Sequence, residues 1–322
     1  MGQARNSRTN WIRYRINYGY FDQLIILLLL LPFLFVTGFS LNKLSSQQLV
    51  QDIEHRGINY DAFREMKLSK ESFDIAQQRI SKLFSKYPVL EQANGVDPIT
   101  YLTFSMLAKE FDLMENNLID ETVFMKCLPQ ISASSGYRRL CGYYKAVLND
   151  IRYFPVPKLA GDNEDITYVD TWSELRSYGG KRRHEGCDIM AKNNIRGFYP
   201  IISITEGVIE KIGWLEQGGY RIGIRSSSGG YFYYAHLASY AEGMKEGDEV
   251  LAGQLLGFMG DSGYGKEGTI GQFDVHLHLG IYVQTEAGEL SVNPYSVLKL
   301  IEKNRPLYRG LSGTDHEEDD MK

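Results

Sequence analysis

The spacing of hydrophobic residues along the chain changes near residue 155. Between residues 43 and 154 they recur at three- and four-residue steps, as on helices that bury one face. Phe73, Ala76, Ile80, Leu83, Phe84 and Tyr87 predict a helix over Ser69–Tyr87 that stops at Pro88. Pro98–Leu113 opens with a proline suited to a first helical turn and predicts a second helix. Leu140, Cys141, Tyr144, Val147, Leu148 and Ile151 form the stripe of a third, Tyr137–Tyr153. Beyond Phe154-Pro155-Val156-Pro157 come short β-rich runs punctuated by glycine: Phe198–Thr205, Val208–Trp214, Arg221–Arg225, Tyr231–Leu237 and Val250–Met259. The next run, VHLHLGIYV at 275–283, alternates strictly. Val275, Leu277, Leu279, Ile281 and Val283 take one face of a strand, and His276, His278, Gly280 and Tyr282 take the other.

Both ends of the chain stand apart from this pattern. Residues 1–22 hold Arg5, Arg8, Arg13 and Arg15 against one acid, Asp22, and residues 23–42 carry no charge. At about 1.5 Å per residue such a stretch just crosses a hydrocarbon core of about 30 Å. Arginines ahead of the span predict a cytoplasmic N-terminus and an extracytoplasmic remainder, a single-pass protein of the cell membrane. The rival reading is a cleaved signal peptide, with small residues near Val36-Thr37-Gly38, but the basic segment is long for one. The tail from Asn304 ends in acids and is predicted to be disordered. The expected organisation is a basic segment (1–22), a transmembrane anchor (23–42), a helical region (43–157), a β domain (158–303) and an acidic tail (304–322). The fold class is then α+β, with an antiparallel all-β domain following extracytoplasmic helices.

Composition narrows the function. A net charge of −5 argues against nucleic acid as a partner. Cys127 and Cys141 lie in the helical region, where a disulfide and two buried thiols are equally compatible with the spacing; Cys187 is left over. His55, in a polar stretch, reads as a surface residue. Four of the six histidines fall between residues 184 and 278: His184, His236, His276 and His278. His184 has Asp188 four residues on, with Gly186 between them. At a two-residue period His236 shares a strand face with Tyr234 and Phe232. Zinc accepts imidazole nitrogen and carboxylate oxygen, and catalytic sites use three protein ligands with a fourth position open. Four histidines and one aspartate exceed that need, leaving imidazoles free for proton transfer or oxyanion stabilisation.

HEGCD (His184–Asp188), YAHL (Tyr234–Leu237) and HLHLGI (His276–Ile281), in this order, resemble the M23 peptidases, the LytM/lysostaphin-type zinc endopeptidases. The segment EGDEVLAGQLLGFMGDSG fits the same family, and the likeness runs over roughly residues 168–298. It implies that His184, Asp188 and His278 bind one zinc ion. His236 and His276 would then orient the attacking water and stabilise the tetrahedral intermediate. The implied fold is an antiparallel β domain with a groove over the metal, and the implied substrates are stem or cross-bridge peptides of bacterial peptidoglycan. Leu279-Gly280 replace the Phe-Glu pair common in the family, which bears on the groove; glycine there would let a peptide lie close. Cys187, beside Asp188, is expected to pack into the sheet rather than serve as a soft extra ligand.

Two other classes compete with this reading. A non-catalytic scaffold of the same fold, binding peptidoglycan or an envelope protein, typically lacks a ligand, whereas all five groups are present here. Residues 43–157 are where an envelope partner would dock in either case. A biotinyl or lipoyl carrier would account for EGDEVLAGQLLG but not for the histidines, and no lysine stands at the expected turn.

Overall fold

The computed structural model describes residues 48–308, except 50, 52, 93–94, 161–165 and 178–179. The basic segment, the apolar stretch 23–42 and residues 309–322 lie outside the described residues. Among the described residues no helix is long and apolar enough to cross a membrane.

Helices α1 (Tyr60–Arg64), α2 (Lys70–Lys86), α3 (Pro98–Ala108), α4 (Glu121–Ile131) and α5 (Ser135–Leu148) come first, with the two-residue strands β1 (Lys67–Leu68) and β2 (Asp112–Leu113) among them. Strands β3 (Lys158–Leu159), β4 (Ile166–Tyr168), β5 (Leu175–Arg176), β6 (Arg182–Arg183), β7 (Cys187–Ala191) and β8 (Pro200–Ile202) follow. Next are β9 (Gly207–Leu215), β10 (Gly219–Arg225), β11 (Tyr231–Tyr240), β12 (Glu249–Val250) and β13 (Leu255–Met259). The chain closes with β14 (His276–Thr285), β15 (Gly288–Val292), α6 (Pro294–Ile301) and β16 (Leu307–Tyr308).

Side-chain caps set the helix starts. Ser69, Asp97, Asp120 and Ser134 each accept a backbone N–H of the following first turn. The helix expected over Ser69–Tyr87 is therefore α2 with its two caps. The one expected over Pro98–Leu113 is shorter. Glu110 and Phe111 turn to positive φ, 52° and 65°, which ends α3 and sends Asp112–Leu113 to pair with β1. The third helix begins at Ser135 and ends at Leu148, ahead of the expected Tyr153. α1, α4 and α6 have no counterpart among the helices expected from the pattern. Among the strands, the run expected over Val250–Met259 is two strands, split by a turn in which Gly253 has φ 84°.

Ten strands form one antiparallel sheet, with β12-β9-β10-β11-β14-β7-β4 in order, β13 on β11 and β8, and β15 on β14. β11 changes partner midway. Tyr231–Ala235 pair with β14, whereas Leu237–Tyr240 pair with β13. The inward face of β14 is as the alternation predicts: Val275, Leu277, Leu279, Ile281 and Val283 are all buried. Helix α5 packs on β14, and one hydrophobic core runs from Phe63, Tyr144 and Val147 into Ile222, Phe232 and Leu277.

Residues 304–308, expected in a tail, are part of this body. Asn304 accepts the N–H of Phe154, and β16 pairs in parallel with β3. The backbone hydrogen bonds gained outweigh the polar character of this short segment. Cys127, Cys141 and Cys187 are all buried and none is in a disulfide, so the bridge considered for the first two is absent. Cys187 points into the core at 0% exposure, and burial pushes its thiol well above the ordinary range.

Asp150 ties the end of α5 to the turn between β10 and β11. Its carboxylate accepts the Ser228 N–H at 2.7 Å and the hydroxyls of Ser228 and Ser227 at 3.0 and 3.3 Å. Burial pushes this carboxyl up, but the hydrogen bonds outweigh it and hold it below the usual range. Asp150→Ala is expected to lower unfolding stability by about 2 kcal/mol. A depressed folded-state pKa stabilises above the unfolded value, about 3.9 for Asp, and the contribution is lost as pH falls through the folded value. The gap in urea midpoint between wild type and variant should therefore close as the pH is lowered below about 4. A gap that is constant down to that range would assign the loss to packing instead.

Candidate metal centre and cleft

The five residues singled out in the sequence arrive from one loop and three strands of the sheet. His184 lies in the loop between β6 and β7, Asp188 on β7, His276 and His278 on β14, and His236 on β11. β7 and β14 are antiparallel neighbours with Asp188 directly opposite His278. That register puts carboxylate and imidazole on one face, side by side.

His184 Nε2, Asp188 Oδ1 and His278 Nδ1 form a small triangle. Its sides are 3.1 Å (His184–Asp188), 3.0 Å (His184–His278) and 2.9 Å (His278–Asp188). These are the three groups among the described residues whose donor atoms gather closely enough to hold a metal ion. The protonation pattern suits one. His184 Nδ1 is 3.0 Å from the Thr171 carbonyl, the Thr171 hydroxyl and Arg176 Nη2, which together fix the ring so that Nε2 faces the triangle. Burial raises the Asp188 carboxyl, yet the hydrogen bonds to His184 and His278 outweigh it and keep the group far into its ionised form. Burial also lowers His278, against the pull of Asp188, which favours the neutral imidazole. Two imidazole nitrogens and a carboxylate converging within about 3 Å, with Thr171 and Arg176 holding the ring of His184, fit a divalent cation of the zinc type.

His276 and His236 stand beside the triangle. His276 Nε2 is 3.9 Å from Asp188 Oδ1, and its Nδ1 donates to the Asp274 carbonyl at 2.7 Å. His236 Nδ1 donates to the Ser262 carbonyl at 2.8 Å, and its ring centroid is 4.7 Å from that of His276. Both rings therefore turn an Nε2 lone pair outward. Burial lowers the pKa of His236 well below its ordinary value, with His276 and His278 adding to the effect, so it stays neutral.

The face expected for His236 is corrected by the structure. Phe232 and Tyr234 are fully buried in the core, and His236 does not follow them. It has φ 63°, and its N–H donates to the Gly218 carbonyl at 2.8 Å. The irregularity comes where β11 leaves β14 for β13, and this bulge turns the ring to the same side as His278. The role expected for Gly280 changes too. A Cβ there would lie 2.7 Å from the Tyr282 ring, so the space belongs to Tyr282 rather than to an arriving peptide. Gly186 is the glycine that the centre itself requires. A Cβ would sit 2.3 Å from His278 Cε1 and 2.7 Å from the Leu279 carbonyl. His55 is exposed and far from this site in sequence and element.

Three contributors have no sequence signal of their own. Thr171 orients His184, as above. Arg176 Nη2 is 2.9 Å from Asp188 Oδ2 and holds the carboxylate from behind. Arg64 of α1 pairs with Glu185 at 3.2 Å, tying the helical part to the His184 loop. Beside the histidines opens a cleft of about 560 Å³, lined also by Tyr231, Tyr233, Tyr282, Arg182, Arg221 and Tyr264.

Comparisons with known proteins agree with this geometry. Residues 182–294 match the model of peptidase family M23. The L-Ala–D-Glu endopeptidase of Bacillus subtilis is 43% identical over 150 residues, covering 47% of this chain and 44% of that protein. Lysostaphin of Staphylococcus simulans is 32% identical over 102 residues, 31% of this chain and 19% of its own. The chain thus spans less than half the length of these curated relatives. A solved structure from Ruminococcus gnavus, assigned as a glycyl-glycine endopeptidase lytM, is 41% identical with a TM-score of 0.65. It is covered over 98% of its length, against 81% of this chain, so the likeness takes in helices as well as sheet. With the match running through the metal centre and an experimentally solved relative covered almost end to end, the chain belongs to peptidase family M23.

Proposed function

We propose that the chain is a zinc-dependent endopeptidase that hydrolyses peptide bonds of bacterial peptidoglycan during cell-wall remodelling. The observation that carries this reading is the triangle of His184, Asp188 and His278 donor atoms lining an open cleft, with two further imidazoles beside it. When bound there, zinc supplies a Lewis acid that activates water and polarises a carbonyl. The chain's own groups handle the protons. His236, neutral and with its Nδ1–H already committed to Ser262, accepts a proton at Nε2. His276, similarly committed to Asp274, can donate from Nε2 only as the imidazolium, which suits an oxyanion. Arg176 and Thr171 hold Asp188 and His184 in place.

The relatives' names supply two bond types, L-Ala–D-Glu and glycyl-glycine. Purified protein loaded with zinc and incubated with sacculi should release muropeptide fragments that mass spectrometry can identify. A chelator should stop the release, and added zinc should restore it. Intact sacculi in every arm, with zinc bound at one per chain, would favour a non-catalytic wall-binding scaffold. The arginines ahead of the uncharged stretch 23–42 support a membrane anchor with the sheet outside. A chain lacking residues 1–42 should then leave the membrane fraction, and retention there would refute the anchor.

A further inference from the structure

Arg221 is one of the cations that line the cleft. It sits on β10 where the pairing with β11 is irregular, between Tyr220 and Ile222, and it lines the cleft together with His236 and Gln217. Its neighbours on β10 alternate away from it, Ile222 being fully buried in the core. Its Nη1 is buried yet has no hydrogen-bond partner among the described residues. Arg182, on the same cleft, gives Nη2 to the Tyr264 hydroxyl at 3.1 Å while its buried Nε also lacks a partner. A buried guanidinium N–H left unpaired is costly, and two on one cleft ask for an acceptor from outside.

Most of the other charges of the cleft are already engaged. Arg176 serves Asp188, Arg183 donates to the Ser173 carbonyl and hydroxyl, and Glu185 is paired with Arg64. Glu289 also lines the cleft and acts on Tyr231 and Tyr282, and Arg221 acts on Tyr231 from the same cleft. The two arginines share a different neighbour. Burial raises the Tyr233 phenol, and both Arg221 and Arg182 are close enough to oppose the rise. The Tyr233 ring lies 6.1 Å from the His278 ring, and its hydroxyl end reaches over Gly218, where a Cβ would be 2.1 Å away. Tyr233 thus neighbours both arginines and a member of the triangle, which places the two guanidinium groups on the same cleft as the metal centre.

We propose that Arg221, assisted by Arg182, is the specificity-determining subsite of this enzyme and binds the free side carboxylate of a glutamyl residue close to the scissile bond, selecting acidic stem peptides over glycine bridges. The proposal rests on the endopeptidase reading above and chooses between its two bond types. A glutamyl residue joined to its neighbour through one carboxyl keeps the other, and the planar fork of Arg221 can bind it through two parallel hydrogen bonds. A glycine bridge offers no anion and would leave Arg221 Nη1 and Arg182 Nε without an acceptor.

The test compares three synthetic peptides: one containing Ala–D-Glu, the same peptide with that glutamyl carboxylate amidated, and tetraglycine. Zinc-loaded wild type is expected to favour the acidic peptide over its amide by about 10- to 100-fold in kcat/KM. Arg221→Gln should erase that preference mainly through KM, leaving the amide and the zinc content unchanged. Arg221→Lys should recover part of it. Equal turnover of acid and amide by wild type overturns the subsite, as does a proportional loss on both in Arg221→Gln. If no peptide is cleaved at all, the endopeptidase reading fails, and the subsite is judged by calorimetric binding to full-length His236→Asn protein. Tighter binding of the acid than of its amide, abolished by Arg221→Gln, sustains it; equal binding overturns it.

Discussion

Asp188→Ala protein should lose its zinc and, with it, all hydrolysis. The carboxylate touches both partner ligands, at 3.1 Å from His184 and 2.9 Å from His278, and is the one anionic member of the three. Structural zinc sites in peptides are worth about 10–16 kcal/mol, so removing one ligand of three takes away roughly 4 kcal/mol. That corresponds to on the order of 10³ in affinity. Arg176 would also lose its 2.9 Å partner, leaving a cation beside the remaining imidazoles and opposing a metal further. Competition with a chromophoric chelator measures the affinity directly. Binding within about tenfold of wild type would mean that the ligand set is wrong.

His236→Asn should behave in the opposite way, keeping zinc and losing turnover. Asparagine is the sensible replacement because position 236 has φ 63°, a conformation that asparagine tolerates better than most residues. The ligand triangle does not include His236, so metal content should stay at one per chain. General-base assistance is worth about 10²–10⁴ in rate, and kcat should fall by that factor. His276→Ala should show the same split, since its Nε2 lies 3.9 Å from Asp188 without being part of the triangle. An active His236→Asn or His276→Ala enzyme would refute the corresponding role. Loss of zinc in either variant would move that histidine into the ligand set.

Much of this centre is legible in one dimension because strand geometry is short-range. A two-residue period puts His276 and His278 on one face whatever the rest of the chain does, and the buried Leu277 and Leu279 follow from the same rule. Helix caps are equally local, which is why Ser69 and Tyr87 bracket α2 as the pattern predicts. The same rule misleads at His236. Alternation assigns that ring to the core with Tyr234, and only the bulge at the change of partner from β14 to β13 turns it toward the metal centre. Gly186 is similar. Its spacing within HEGCD is visible, but the reason no side chain fits there is the imidazole of His278, ninety-two positions later.

The order of hydrophobic and polar residues was enough to predict the helical region between residues 60 and 148, the antiparallel strands that follow, and which histidines and aspartate to watch. Those properties depend on neighbours a few residues apart, and sequence records them directly. Tertiary structure decided the rest: that Asp188 faces His278 across a strand pair, that Thr171 and Arg176 lock the ligands, that Arg221 Nη1 lacks a hydrogen-bond partner among the described residues, and that residues 304–308 close back on residues 158–159. Each is a contact between segments far apart along the chain. Its free energy depends on register, twist and burial that exist only once the sheet has closed, so no local pattern carries it.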